Sequence, residues 1–278
     1  MLHKTKLWIK GRMSALTRRI LGPHVKALLV QSGEYQFLVD PEDYGVGLHL
    51  RRHGRYGQDE LQRLQPLVSR ESNVLVVGTH VGTLAIPLSR MCQSVTAIEA
   101  NPHTFDLLTA NVLINKIENL QVHNLAASDR EQPLCFLVNR SNSGGSKIKP
   151  QTRGYQYYYD KPEEISVPGF PLDQRFPHQR FELIVMDIEG SEYFALRGMQ
   201  SILSRAKTLV VEFVPHHLRN VSGVTLEQFL EPLAMFDTLT VPSLGQTVPR
   251  EEFATLLDKL YQRDQSDDGI IFRATPAA

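Results

Sequence analysis

Three stretches of the chain place reactive side chains at spacings that suggest chemistry. The first is Met186-Asp187-Ile188-Glu189-Gly190-Ser191-Glu192, where carboxylates crowd together. Such carboxylates can orient a hydroxyl, face a cation or accept a proton, and a positioned base contributes about 10²–10⁴-fold in rate. Acids in a first helical turn also complement the helix dipole, for about 0.3–1 kcal/mol each, and Glu192 suits that role as well as a catalytic one. The second stretch is His216-His217, whose imidazoles ordinarily titrate near pH 6.5 and are therefore available as bases. The third is Gly78-Thr79-His80-Val81-Gly82, followed later by Glu99. Glycines in such a turn let backbone N–H groups approach a ligand with no Cβ in the way.

Those residues need elements to hold them. From residue 73 onward, apolar runs of strand length alternate with helix-period segments, the pattern of a parallel sheet covered by helices. Strands are expected at Asn73–Val77, Val95–Glu99, Leu120–Ala126, Leu183–Asp187 and Thr208–Phe213, with a last one at Gly269–Phe272. A helix should open near Gly82, and another at Pro102, with Phe105, Leu108 and Val112 on its apolar face. A third should follow Asp187 and carry Leu196, Met199, Ile202 and Leu203. In this frame Asp187 and Glu99 both end strands, where open α/β sheets bind their ligands. An acid at the position of Glu99 accepts hydrogen bonds from ribose hydroxyls, which suits dinucleotides and S-adenosylmethionine alike. The Gly-x-Gly-x-x-Gly spacing of dinucleotide folds is missing, because position 80 is His, so an NAD-dependent oxidoreductase is the weaker reading. No Gly-x-x-x-x-Gly-Lys-Ser/Thr occurs either.

Taken in order, these blocks resemble the FkbM-type methyltransferases across roughly residues 60–215. The resemblance rests on the glycine turn, Glu99-Ala100-Asn101-Pro102, Asn111 and Asn115, and Ala126-Ala127-Ser128-Asp129. It rests further on the block from Met186 to Glu192, on Leu196-Arg197-Gly198, and on Glu212. It implies a Rossmann-like class I methyltransferase fold: a mostly parallel seven-stranded sheet with helices on both faces and an inserted β-rich segment. It also implies S-adenosylmethionine as cofactor and O-methylation of a sugar, polyketide or other small metabolite bearing a hydroxyl. On these readings Gly78, Thr79, His80, Gly82, Glu99, Ala100, Asn101, Ser128 and Asp129 surround the cofactor. Asp187, Glu189 and His216, or its neighbour His217, serve the reaction, without a metal. The sequence departs from the family in having Val76 where an aspartate usually helps hold the cofactor's ammonium, and His80 where asparagine is usual. Val185 likewise stands near a usual lysine. His80, Glu60 and Asp59 are the candidates to replace the aspartate. A degenerate, non-catalytic homologue that only binds is the alternative these departures raise.

Composition sets the remaining bounds. Lys plus Arg and Asp plus Glu stand at 30 each, which gives no global basic surface for nucleic acid. The charge is unevenly placed, however. Residues 1–33 hold seven basic side chains (Lys4, Lys6, Lys10, Arg12, Arg18, Arg19, Lys26) and no acid, leaving 23 basic against 30 acidic in the rest. Ile9, Met13, Leu16 and Ile20 recur there at helical spacing, so a basic amphipathic helix is expected, either capping the domain or touching a membrane surface or partner. There is no signal-peptide core and no run of apolar residues long enough to span a bilayer, which points to a cytoplasmic protein. An N-terminal extension is expected over 1–59 and a methyltransferase domain over 60–278. Its insertion, at about 130–180, carries Tyr155, Tyr157, Tyr158 and Tyr159, which either cover the acceptor with aromatic faces or serve as ordinary strand formers in a hairpin. Cys92 and Cys135 are too far apart for a metal or disulfide motif and are expected as buried thiols.

Overall fold

The computed structural model describes residues 2–275. Its strands, in chain order, are β1 (Leu28–Ser32), β2 (Tyr35–Val39), β3 (Asn73–Val77), β4 (Ser94–Glu99), β5 (Leu120–Asn124), β6 (Ala126–Ala127), β7 (Gln132–Val138), β8 (Lys147–Ile148), β9 (Glu163–Phe170), β10 (Leu183–Met186), β11 (Thr208–Phe213), β12 (Thr238–Val241), β13 (Gln246–Pro249) and β14 (Asp267–Arg273). The main sheet has the order β13-β12-β14-β11-β10-β3-β4-β5. Strands β11, β10, β3, β4 and β5 are parallel, and β14 runs against β11. The sheet therefore has eight strands rather than seven. The extra one is β13, a short edge strand that folds back on β12 through a turn at Gly245, whose φ is 60°.

Side-chain alternation along β3 builds the core on both sides of the sheet. Leu75 and Val77 enter one buried cluster with Ile184, Met186, Leu196, Leu257 and Phe272. Val74 and Val76 enter the other with Val95, Val185 and Leu108. Burial on both faces is why these strands read as continuous apolar runs. The helix expected after Asp187 is broken into Glu192–Arg197 and Gln200–Leu203. Gly198 sits at the break, where a Cβ would strike the carbonyl of Ser128, so that turn meets backbone directly.

The N-terminal extension is tied to the domain. Phe37, Val39, Val46 and Leu50 belong to the same cluster as Val74 and Val76. Asn111, on the helix Pro102–Ile114, accepts from the Leu38 amide at 2.6 Å and donates to the carbonyls of Leu38 and Val81 at 3.1 and 2.9 Å. Asn115 holds both backbone groups of Gln36. The spaced asparagines thus clamp the β1–β2 hairpin, and through Val81 the glycine turn, to this helix.

The insertion forms a second sheet, β6-β9-β7-β8. Its tyrosines are not in a hairpin: Tyr155–Tyr158 make a helical turn, and Tyr157 is buried. Cys92 is buried as expected, whereas Cys135 is exposed, because it lies on the outward face of β7. Among the described residues no helix is long and apolar enough to cross a membrane.

Candidate active site

The chain leaves β3 towards β4 on one side of the sheet and β10 towards β11 on the other. Between the carboxyl ends of β3 and β10 the loops part, the position where doubly wound sheets take their ligands. A cavity of about 220 Å³ opens there. Gly78, Thr79, His80, Glu99, Ala100, Asp187 and Glu189 line it, so most of the residues singled out in the sequence meet in one place.

Its floor is the glycine turn. Gly78 has φ 88°, and a Cβ there would overlap the carbonyl of Asp187, so only glycine lets the ends of β3 and β10 approach. His80 has φ 53°, a left-handed conformation in which Asn, Asp and His are the tolerated side chains. That is the physical reason histidine can stand where asparagine is usual. Its Nε2 lies 2.7 Å from the Ser143 hydroxyl, while Nδ1 is buried without a partner. Burial lowers its pKa, keeping the ring neutral.

Glu99 is 8% exposed. Its two carboxylate oxygens accept from the amides of His80 at 2.7 Å and Asn101 at 2.8 Å. Each oxygen retains a second lone pair for a ligand hydroxyl. Burial raises its pKa to about 7, against the pull of those amides. The adjoining wall is apolar, with Ile98, Ala126, Ala127 and Ile148.

Other expected cofactor residues fall outside this wall. Gly82 packs against Leu108 and Ile86. Asn101 caps the helix Pro102–Ile114 by accepting from the His103 amide at 3.1 Å. Ser128 pairs its amide with the Phe170 carbonyl, and Asp129 lies beside Arg130 at 3.5 Å. Of the two acids considered in place of the missing aspartate beside Val76, Glu60 lines the cavity and Asp59 does not.

The acidic block divides its roles. Glu192 is buried, and its Oε1 accepts from the amides of Ile188 and Gly190, each at 3.1 Å. It holds the strand-to-helix turn in shape. That turn puts Glu189 at φ 57°, a strained conformation of the kind found at functional sites. Asp187 is open to the cavity and to a second hollow shared with Glu60, Glu212 and Asp268. Lying deep in the crevice and facing Glu189, its carboxyl is pushed well above the usual range. Glu212, crowded by protein and by Asp187, is raised as well.

Lys147, from β8 of the insertion, joins this cluster without having been singled out in the sequence. It is 5% exposed, and its Nζ lies 2.7 Å from Glu189 Oε2 and 3.3 Å from His217 Nε2. The Tyr157 ring lies 5.4 Å from it. An ammonium only donates, so His217 Nε2 accepts and the ring proton sits on Nδ1. Burial, then Lys147, lowers the His217 pKa to about 2. His216 turns instead towards Asp264, at 3.9 Å. Of the two histidines it is His217 that reaches the acids, because consecutive residues of a helical turn point about 100° apart.

A smaller cavity of about 150 Å³ lies on the far side of Glu189, lined by Lys147, Tyr157, Tyr159, His216, His217 and Leu7 among others. Glu189 and Asn142 stand in the walls of both cavities. Glu189, Glu212 and His217 also bring their ligand atoms within 4.8 Å of one another, a spacing a metal ion could bridge, and two of the three already meet the Lys147 ammonium.

The chain matches the methyltransferase FkbM domain over residues 77–240. No curated protein matches it. Among solved structures, a methyltransferase FkbM from Methylobacillus flagellatus is 17% identical, over 73% of this chain and 44% of that one, with a TM-score of 0.43. An rRNA methylase from Streptococcus thermophilus is 10% identical, over 78% and 95%, with a TM-score of 0.44. A tRNA (uracil-54, C5)-methyltransferase from Pyrococcus abyssi, in complex with S-adenosyl-L-homocysteine, is 14% identical over 67% and 34%, with a TM-score of 0.38.

Proposed function

The chain belongs to the methyltransferase FkbM family, and from that premise we propose that it methylates a hydroxyl of a small metabolite, with S-adenosylmethionine as donor. The observation that carries this reading is the shared wall: Glu189 separates a cavity suited to the donor from a smaller one suited to an acceptor. The residues fit the donor. Glu99 has free lone pairs for ribose hydroxyls, the apolar wall suits an adenine, and Glu60 and Asp187 offer carboxylates to an ammonium in place of the missing aspartate beside Val76.

Bound there, S-adenosylmethionine supplies an electrophilic methyl group on a sulfonium. The chain's part is to position the acceptor and to take its proton. Glu189 accepts a hydrogen bond from the acceptor hydroxyl and receives its proton as that oxygen takes the methyl group, the methyl–sulfur bond breaking as the C–O bond forms. Lys147 holds that carboxylate in place, and neutral His217 holds Lys147. Asp187, on the wall of the larger cavity, would offer its carboxyl to the cofactor's positive charge. Positioning of this kind supplies much of the barrier reduction in such reactions.

Thermal denaturation with S-adenosylmethionine, S-adenosylhomocysteine and NAD tests the donor. The first two should stabilise the protein by about 2.7 kcal/mol at 100 times Kd. Stabilisation by NAD alone would overturn the reading. A protein that binds the donor yet transfers no methyl group to any panel of hydroxyl acceptors would instead be the binding-only homologue suggested by Val76.

A further inference from the structure

The helix Leu2–Leu21 lies on the domain by a narrow polar face. Ser14 is buried, and the Thr17 hydroxyl meets the Tyr44 hydroxyl at 2.6 Å. Gly11 sits against Tyr159 and Asp160 of the insertion, and Arg18 reaches Glu42 at 3.4 Å. The apolar residues that made the segment look amphipathic are on the other side, turned outward. Ile9 is 48% exposed, Met13 40%, Leu16 46% and Ile20 72%. Successive residues step about 100° around a helix, so these four share an arc of about 60°, opposite Gly11 and Ser14.

Cations border that stripe. On the same projection Lys6 and Lys10 lie along one edge, Arg12 and Arg19 along the other, and residues 1–33 contain no acid to offset them. Trp8, 55% exposed, stands beside the Arg12 edge, with the guanidinium 5.5 Å from its ring. A surface helix normally turns its apolar stripe to the core. Here nothing in the described chain covers it.

We propose that this helix docks on an anionic lipid surface, lying in the interfacial plane with Ile9, Met13, Leu16 and Ile20 in the acyl boundary. Lysines and arginines on both borders would meet the headgroups, the arrangement of helices that bind membranes from one side. The helix does not cross the bilayer. The charge pattern favours lipid over nucleic acid, because a phosphate backbone is met by cations at the centre of a face, whereas here the centre is aliphatic. Leu7, on the opposite side of the same helix, lines the smaller cavity, so docking would hold that cavity one helix diameter, about 10 Å, from the membrane.

Co-sedimentation of the full chain with vesicles tests this without reading turnover, so its failure leaves the proposed reaction untouched. Vesicles of phosphatidylcholine containing about 30% phosphatidylserine should pellet the protein, pure phosphatidylcholine should not, and salt should weaken binding because surface charge is screened. The double variant Ile9→Gln, Leu16→Gln should bind at least about tenfold more weakly, since it removes apolar burial in the bilayer, with an unchanged melting temperature because both sites are exposed. Replacing Lys6, Lys10, Arg12 and Arg19 by Gln should have a similar effect. No pelleting with anionic vesicles would overturn the proposal, as would binding that survives the apolar variant. It would also fall if sedimentation velocity showed a dimer in the parent that the apolar variant dissociates, because a second copy would then own the stripe.

Discussion

At the scale of single residues the site depends on a few side chains that leave little freedom. Glu189 is held in a left-handed conformation and gripped by Lys147. If it takes the acceptor's proton, Glu189→Gln should cut turnover by at least about 10²-fold, while calorimetry finds S-adenosylhomocysteine affinity within about threefold of the parent. Near-normal turnover would move the proton acceptor to Asp187. Gly78 permits a separate, purely structural test. Gly78→Ala forces a Cβ into the Asp187 carbonyl at a positive φ, and should cost about 3 kcal/mol or more in urea unfolding. Gly144→Ala, where the nearest atom to a new Cβ is a Val46 methyl at 3.6 Å, should stay within about 0.5 kcal/mol.

At the scale of elements the outcome turns on ties between segments remote in sequence. Asn111 joins the helix Pro102–Ile114 to the β1–β2 hairpin and to the glycine turn by three hydrogen bonds. Asn111→Ala would strand the buried Val81 carbonyl and the half-buried amide and carbonyl of Leu38, and about 2–3 kcal/mol of stability should go with it. Asn115→Ala, at a more exposed contact, should cost less than about 1 kcal/mol. Equal losses would show that burial is not what gives Asn111 its weight. The turn after β10 follows the same logic: Glu192 binds two amides of it from the first position of the next helix. An acid there looks like a dipole partner in the sequence, and in the fold it shapes the backbone that aims Glu189.

At the scale of the whole molecule, burial of ionisable groups couples stability to pH with opposing signs. His217 titrates at about 2 when folded, against 6.5 ordinarily. The unfolded chain therefore takes up a proton the folded one refuses, and this group's contribution is lost as pH falls below 6.5. Glu99 does the reverse. With a folded pKa of about 7 against 4.5, its contribution is complete below 4.5 and is lost as pH rises to about 7. Glu212, raised as well, acts in the same direction as Glu99. Urea unfolding at pH 5 and 7 should separate them, since each pKa unit is worth about 1.4 kcal/mol at most. Relative to the parent, Glu99→Gln should make stability rise more steeply from pH 5 to 7, and His217→Gln should make it rise less or fall. Identical slopes in all three proteins would refute the assignment of these groups.

The strands β3 and β11 end where the apolar runs Asn73–Val77 and Thr208–Phe213 end, and the helix at Pro102 begins where proline and Asn101 allow. Such features are local: periodicity, caps and chain breaks act within a few residues, so sequence alone determined them, and with them the placing of Gly78, Glu99 and Asp187 at the ends of strands. What tertiary structure decided is whatever depends on two segments meeting. Lys147 carries no local signal, because its partners Glu189 and His217 are 42 and 70 residues away. The choice of His217 over His216 is a matter of which side of one helical turn faces the acids. The stripe of the N-terminal helix was visible as a pattern, but its direction was not. A 3.6-residue repeat says that one face is apolar, and only the packing of Gly11 against the insertion and of Thr17 against Tyr44 decides that this face looks outward.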